Sequence, residues 1–448
     1  MPKATYLMVL FLCLFFKSHC QSISAGANNC YVICAGGIAY AYGNNLMGQL
    51  GNGINNGPVS NGVQVGNLTN ITAVSSGTLH VIYLKADGTV WACGFNASGQ
   101  LGDGTFVKKS IPVQIPTLQG ITGISSSNSS SLFLKNDGTV WACGLNTDGQ
   151  LGINTLTNTA TPTLVNIDNV GSIATAANYT LFLKNDGTVW ATGNNANGVF
   201  GNGTTVSSAV PVQLPISGVS KIAAGTTFSM FLKNDGTVWV SGWNFPTGNG
   251  LSSGTSLVFN PVAIEGVTAI SAGSLHSAYL KNDGTVWTAG QNDMGQLGIG
   301  TFVSSYVLTQ IPGASNVNEI SANADSTLFK DAGASVWVSG FHTGGMLYQN
   351  TNLPVALINF CTAMGIADHQ ANSVKVYPNP NTGSFYIEQQ WANADSIAIY
   401  NAIGQLVVSQ ILKDASSKIE LSNASKGFYF YVTQKNGRAV SCGKILVE

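Results

Sequence analysis

The sequence predicts an all-β protein: a seven-bladed β-propeller followed by a small Ig-like β-sandwich. Three observations carry that expectation. One residue pattern recurs seven times at intervals near 50. Charged residues make up only 8% of the 448-residue chain, while hydrophobic residues make up 44%. Near Val374 the recurrence stops and a different alternating pattern begins. A period of this length, with short strands and glycine-rich turns, is blade spacing.

The pattern is clearest in Leu134-Lys135-Asn136-Asp137-Gly138-Thr139-Val140-Trp141, which returns from Leu183, Leu232 and Leu280 and, slightly changed, from Leu84. Its aromatic anchor falls at Tyr40, Trp91, Trp141, Trp190, Trp239, Trp287 and Trp337, 48 to 51 residues apart. An Ile-Ser-Ala-Gly-like start, as at Ile270 to Gly273, leads into an alternating strand such as Ser277 to Lys281. Asn-Asp-Gly then supplies residues that tolerate the positive φ of a tight hairpin. The return strand, Thr285 to Ala289, carries a Trp that can pack between neighbouring sheets. Burying such a side chain is worth roughly 3 kcal/mol or more. A corner follows, as in Gln296-Leu297-Gly298-Ile299-Gly300-Thr301, and then a strand such as Pro211-Val212-Gln213-Leu214. Each copy thus holds about four short strands.

These units resemble the regulator-of-chromosome-condensation repeat, a seven-bladed propeller family, over residues 22 to about 360. The Ala-Gly start, the Asp-Gly-Thr-Val-Trp hairpin and the Gly-Gln-Leu-Gly corner recur in that order. Copy one departs with Tyr40 and Gly36-Gly37, copy five with Thr247-Gly248-Asn249-Gly250, and copy seven with Met346-Leu347-Tyr348. The chain enters the cycle at Ile23-Ser24-Ala25-Gly26 and leaves it after Pro354-Val355-Ala356-Leu357-Ile358. The two ends are therefore expected to pair and leave no open edge.

The flanks set the compartment. Lys3, the apolar stretch Tyr6 to Phe16 and the small Ser18 and Cys20 make residues 1–20 a signal peptide. Eleven apolar residues are too few for a membrane helix, and Lys17-Ser18-His19 before Cys20 lacks the residues of a lipidation signal. The propeller is assigned to 21–361 and a linker to 362–373, with Asp368 to Ser373 its clearest part. Among the remaining cysteines, Cys93 and Cys143 share a repeat slot and read as buried thiols. Cys361 is expected near the ring's start, bridged to Cys30 or Cys34.

Residues 374–448 form the second domain. Tyr377-Pro378-Asn379-Pro380, Gly383, the turn ending at Gly404, the strand from Gly427 and the closing Lys444-Ile445-Leu446-Val447 together resemble the type A C-terminal sorting domain of the type IX secretion system. That resemblance implies a Bacteroidota-type bacterium and engagement of the type IX secretion machinery. It also implies release from the cell or attachment to the outer cell surface.

Positions that vary between copies are the candidates for recognition. One such position reads Asn29, His80, Ser130, Tyr179, Phe228, His276 and Asp325 or Ser326; a second reads Asn44, Phe95, Leu145, Asn194, Trp243, Gln291 and Phe341. Antiparallel pairing puts both at the hairpin end away from the turn. His80, Phe95, Tyr179, Phe228, Trp243, His276 and Phe341 are thus the candidate binding rim, suited to protein or sugar contact. The repeated Asp137, Asp186, Asp235 and Asp283 fall in turns and read as structural. No nucleophile elbow, phosphate loop or metal-ligand spacing is present, so no catalytic residue, metal or cofactor is assigned.

The expected function is a secreted or cell-surface binding module for an extracellular protein or glycan. The alternatives are a polysaccharide lyase or hydrolase working on the propeller face, or a structural surface-layer protein. A net charge of −1 with no basic run speaks against nucleic acid. The export signals, with that charge, exclude the activation of a nuclear GTPase on chromatin for which the repeat family is named.

Overall fold

The computed structural model describes residues 20–341 except 28 and 56, then 351–357, then 374–448 except 390–394, 402–405, 413, 415, 422–424 and 436–437. Residues 1–19 of the expected signal peptide, Met346-Leu347-Tyr348, Cys361, the linker and Gly404 lie outside the described residues, while Cys20, assigned to the signal peptide, opens the first strand. The chain divides into two compact units, Met1–Cys361 and Thr362–Glu448.

In the first unit, consecutive strands build seven four-stranded antiparallel sheets spanning 20–64, 71–114, 121–165, 170–213, 219–262, 267–310 and 317–357. These are blades 1 to 7. In blade 2, Ile71–Ser76, His80–Lys85, Val90–Gly94 and Lys109–Gln114 pair in chain order, with Tyr83 opposite Trp91. The second strand is buried on both sides, because alternate residues enter different joints. Val81 and Tyr83 pack toward blade 1, and Ile82 and Leu84 pack toward blade 3.

Seven apolar clusters join the blades, each holding residues of two neighbours and one of the repeated aromatics. An open arc of seven blades would have six joints, so the ring is closed. The closing cluster sets Val32, Tyr40 and Tyr42 of blade 1 against Leu328, Val336 and Val338 of blade 7. The repeated tryptophans are half-buried in these joints, and Lys184 and Lys233 each cap the ring of Trp190 and Trp239 at 5.4 Å.

Closure does not use paired ends, contrary to the sequence expectation. The strand Cys20–Ala25 pairs within blade 1, and Thr351–Leu357 pairs within blade 7. The reason is phase: the chain starts on a first strand and ends on a fourth, so every sheet is complete and none is shared. What closes the ring is a bond used at other joints. Ala25 N–H donates to Ser321 Oγ at 2.9 Å, as Ser126 N–H does to Ser75 and Thr175 N–H to Ser125. Ser22 Oγ and Ile23 N–H also donate to Glu319 Oε1, at 2.7 and 3.1 Å.

The turn aspartates are structural. Asp137 Oδ1 accepts from Thr139 N–H and its hydroxyl at 3.0 and 2.6 Å, and Asp87, Asp186, Asp235 and Asp283 repeat the arrangement. Cys30, Cys93 and Cys143 are buried thiols, so the Cys30 branch of the expected bridge is not formed; Cys34 is in a disulfide.

The second unit is a two-sheet sandwich. Val374–Tyr377, Ser384–Gln389 and Ser416–Glu420 form one sheet; Leu406–Ile411, Ser396–Asn401, Gly427–Lys435 and Arg438–Val447 form the other. Phe385, Ile387, Ile397, Ile399, Ile419 and Ile445 fill the space between them. The Pro-Asn-Pro segment is pinned to the last strand. Asn379 Oδ1 accepts from Leu446 N–H at 2.8 Å, and Asn381 N–H and Nδ2 both donate to Leu446 O, at 2.9 and 3.1 Å.

Candidate binding face

The first strand of every blade lines the axis. A cavity of about 190 Å³ lies there, walled by Ser24, Ser75, Ser126, Thr175, Thr226, Ser274 and Asn323 together with alanine and glycine. It is polar but holds no acid, base or thiol. The walls run to the turns joining first and second strands, so these turns and the third-to-fourth-strand corners form one face of the ring. The Asn-Asp-Gly hairpins form the other.

The two rim positions part company on this face. His80, Tyr179, Phe228 and His276 are fully buried, as is Ser326, which is the blade 7 equivalent because it pairs with Gly340. They do not form a rim. Each opens its second strand, inside the ladder, and turns into the joint with the next blade. His80 Nε2 lies 2.9 Å from Ser131 Oγ, His276 Nε2 lies 2.9 Å from Thr327 Oγ1, and Tyr179 OH donates to Phe228 O. Burial lowers both imidazoles to about 4.

The glycine of the Ala-Gly start follows from this. A Cβ on Gly77 would sit 2.3 Å from His80 Cε1, and on Gly225 and Gly273 it would sit 2.1 Å from Phe228 Cε1 and His276 Cε1. Where the second-strand residue is a small Ser130 or Ser326, the same slot holds Ser127 or Asn323. In blades 2, 5 and 6 the slot is glycine because an imidazole or phenyl ring lies over it, whereas blade 4 sets Ala176 before Tyr179 and blade 1 sets Gly26 before Asn29.

The second position is the one that reaches solvent. Asn44, Phe95, Leu145, Asn194, Trp243, Gln291 and Phe341 are all half-buried and follow the last glycine of the third strand. From blade 2 onward each N–H donates to the carbonyl just before the second strand, as Phe95 to Leu79 and Trp243 to Thr227 at 2.8 Å. Backbone geometry thus fixes six of the seven residues of this ring, all seven of them uncharged. A buried asparagine beside it sets each regular corner: Asn96 Oδ1 accepts from Leu101 N–H at 2.9 Å, and Asn146 repeats this with Leu151. That asparagine was not singled out in the sequence, although it recurs as Asn45, Asn96, Asn146, Asn195, Asn244 and Asn292.

The hairpin face carries both signs, with Lys85, Lys135, Lys184, Lys233 and Lys281 beside Asp87, Asp137, Asp186, Asp235 and Asp283. Among the described residues, the turns and corners of the other face carry Asp103, Asp148, Asp293 and Asp325, with Lys108 and Lys109 in the blade 2 corner, Lys109 paired to Asp103 at 3.6 Å. Asp325 is half-buried, and burial with help from Asp293 raises its carboxyl. His80, Tyr179, His276 and Asp325, the groups an enzyme would need to assemble, belong to blades 2, 4, 6 and 7. No cluster of three His, Cys, Asp or Glu side chains that could hold a metal exists among the described residues.

Together, a closed ring of seven four-stranded blades and a pinned C-terminal sandwich define a propeller with an appended sorting module. The chain belongs to the RCC1-like domain family, whose model matches residues 58–367, and residues 375–448 match the secretion system C-terminal sorting domain. Among solved structures, human WBSCR16 is similar with a TM-score of 0.64 and 23% identity, over 70% of this chain and 86% of that one. Prp20p from Saccharomyces cerevisiae is similar with a TM-score of 0.65 and 22% identity, over 72% and 86%. These establish the fold. The ulvan lyase NLR42 of Nonlabens ulvanivorans is 31% identical over 88 residues, which is 19% of this chain and 16% of that protein. The sorting domain makes this a secreted propeller, exported by the type IX machinery to the outer cell surface or beyond. Among the described residues no helix is long and apolar enough to cross a membrane.

Proposed function

We propose that the propeller is a non-catalytic binding module for an extracellular protein or glycan, and that it binds through the turn face. The observation that carries this reading is the ring of half-buried, uncharged residues that the third strands project around the axial cavity, with Phe95, Trp243 and Phe341 its aromatic members. Aromatic anchors of this kind dominate contact energy in recognition surfaces. His80, Tyr179, Phe228 and His276 hold blades together behind it and are not part of the contact.

The test is an array of extracellular proteins and glycans probed with the secreted protein and with a Phe95→Ala/Trp243→Ala/Phe341→Ala variant of unchanged thermal unfolding. Binding that the variant loses supports the proposal. Binding that the variant keeps removes the face from it, and turnover of an arrayed polymer replaces it with the enzymatic alternative.

A further inference from the structure

Blade 5 departs from the repeat at its corner, and the departure is built. In blades 2, 3 and 6 the corner glutamine's carbonyl accepts a hydroxyl from the next blade: Ser131 to Gln100, Thr180 to Gln150 and Thr327 to Gln296, at 2.7 to 2.8 Å. Blade 5 replaces this corner with a one-turn 3₁₀ segment, Phe245–Thr247. The link survives the replacement, since Ser277 Oγ donates to Pro246 O and Tyr279 OH to Thr247 O, both at 2.6 Å. What changes is the side chain displayed. Trp243 extends the third strand by one residue, pairing with Thr255, and its ring lies 5.6 Å from that of Phe245.

We infer that Trp243 and Phe245 form the floor of a subsite for one neutral pyranose ring of an extracellular glycan. The inference rests on the turn face being the binding face and names its ligand class. An aromatic ring covers the apolar C–H side of a sugar, and amides beside it bond the hydroxyls. The ring positions flanking Trp243 on blades 4 and 6 are Asn194 and Gln291. Asn194 turns its amide toward blade 3, its Nδ2 donating to Asp148 Oδ1 at 3.0 Å, so Gln291 is the amide next to the blade 5 corner. Gln291 has no side-chain hydrogen bond among the described residues, and a Cβ on the preceding Gly290 would lie 3.1 Å from Pro246 Cα. Among the described turns and corners of blades 3 to 7 on this face, the charged residues are carboxylates, Asp148, Asp293 and Asp325. They repel uronate or sulfate groups and leave neutral sugars favoured.

Affinity electrophoresis of the full secreted protein through gels of neutral polysaccharides (a β-glucan, a mannan and a galactan), each beside a sulfated or uronate polymer, tests this. Retardation by a neutral polymer is expected, unchanged at 1 M salt. Trp243→Ala should weaken it about 10-fold or more, Trp243→Phe should retain most of it, and Ile111→Ala, exposed on the outer strand of blade 2, should leave it within about 2-fold. Retardation only by charged polymers overturns the inference. A protein partner lost in Trp243→Ala, with no neutral glycan bound, also overturns it while leaving the turn-face reading intact. Neutral glycan binding indifferent to Trp243→Ala overturns the subsite.

Discussion

The imidazole of His80 and the hydroxyl of Ser131 meet at 2.9 Å across the joint between blades 2 and 3. Ser131 spends its proton on Gln100 O, so the network assigns His80 Nε2 as the donor and leaves Nδ1 without a proton. His276, Thr327 and Gln296 repeat the relay between blades 6 and 7. Residues that vary between copies thus serve as fitted pieces of the joints.

The relay gives the ring a pH dependence. Burial depresses both imidazoles from 6.5 to about 4. A group with a depressed folded value contributes stability that is fully present above its unfolded value and is lost as pH falls toward the folded one. Stability should therefore drop between about pH 6.5 and 4, by on the order of 3 kcal/mol for each histidine. Chemical denaturation across this range should show the drop, and a His80→Asn/His276→Asn variant should show much less of it.

The fit of Gly77 to His80 can be tested by exchange. Gly77→Ala places a methyl group against the imidazole and should cost about 2 kcal/mol or more. Adding His80→Ser, the pairing that blade 3 uses with Ser127 and Ser130, should recover most of that cost. A double-mutant cycle in urea reads the coupling. Additive losses would show that the glycine serves another purpose.

The closing joint should be the ring's adjustable point. Glu319 accepts from Ser22 and Ile23 and pairs with Lys330 at 2.6 Å. Glu319→Ala should destabilise by about 1–3 kcal/mol. It should also speed amide exchange at Ile23 and Ala25 more than at Ser126, whose joint it does not touch.

The sorting unit depends on its pinned end. Asn381→Ala removes the side-chain bond to Leu446 O and should reduce export, measured as the fraction of protein outside the cell. Deleting 375–448 should leave the propeller in the periplasm. Normal export of the deletion would contradict the sorting role.

The blade plan was legible in the sequence because its determinants are local. The Asp-Gly turn, the alternating strands and the joint aromatics each lie within a few residues of the structure they specify. The rim was half legible. Phe95 and Phe341 lie one residue beyond the ladder, and Trp243 at its last rung opposite Thr255, where the side chain is released toward solvent. His80 and Phe228 sit one step back, opposite Gly94 and Gly242, where it is captured by the next blade. A one-residue offset in register decides between the two fates. Variation between copies could not, since a joint that repacks varies as freely as a surface. One partial signal was in the sequence: the glycine three residues before His80, Phe228 and His276, although Tyr179 follows Ala176 and Asn29 follows Gly26. Closure without shared ends was hidden too, because the phase of the chain fits a shared blade or seven complete ones.

Hydroxyl-radical footprinting of the secreted protein, free and saturated with whichever ligand the arrays identify, addresses the binding face directly. Protection is expected at Phe95, Trp243, Phe245 and Phe341, with the hairpin turns at Asp87, Asp137 and Asp283 unchanged. Protection confined to the hairpin turns, or to the outer strands, would contradict the assignment of recognition to the turn face.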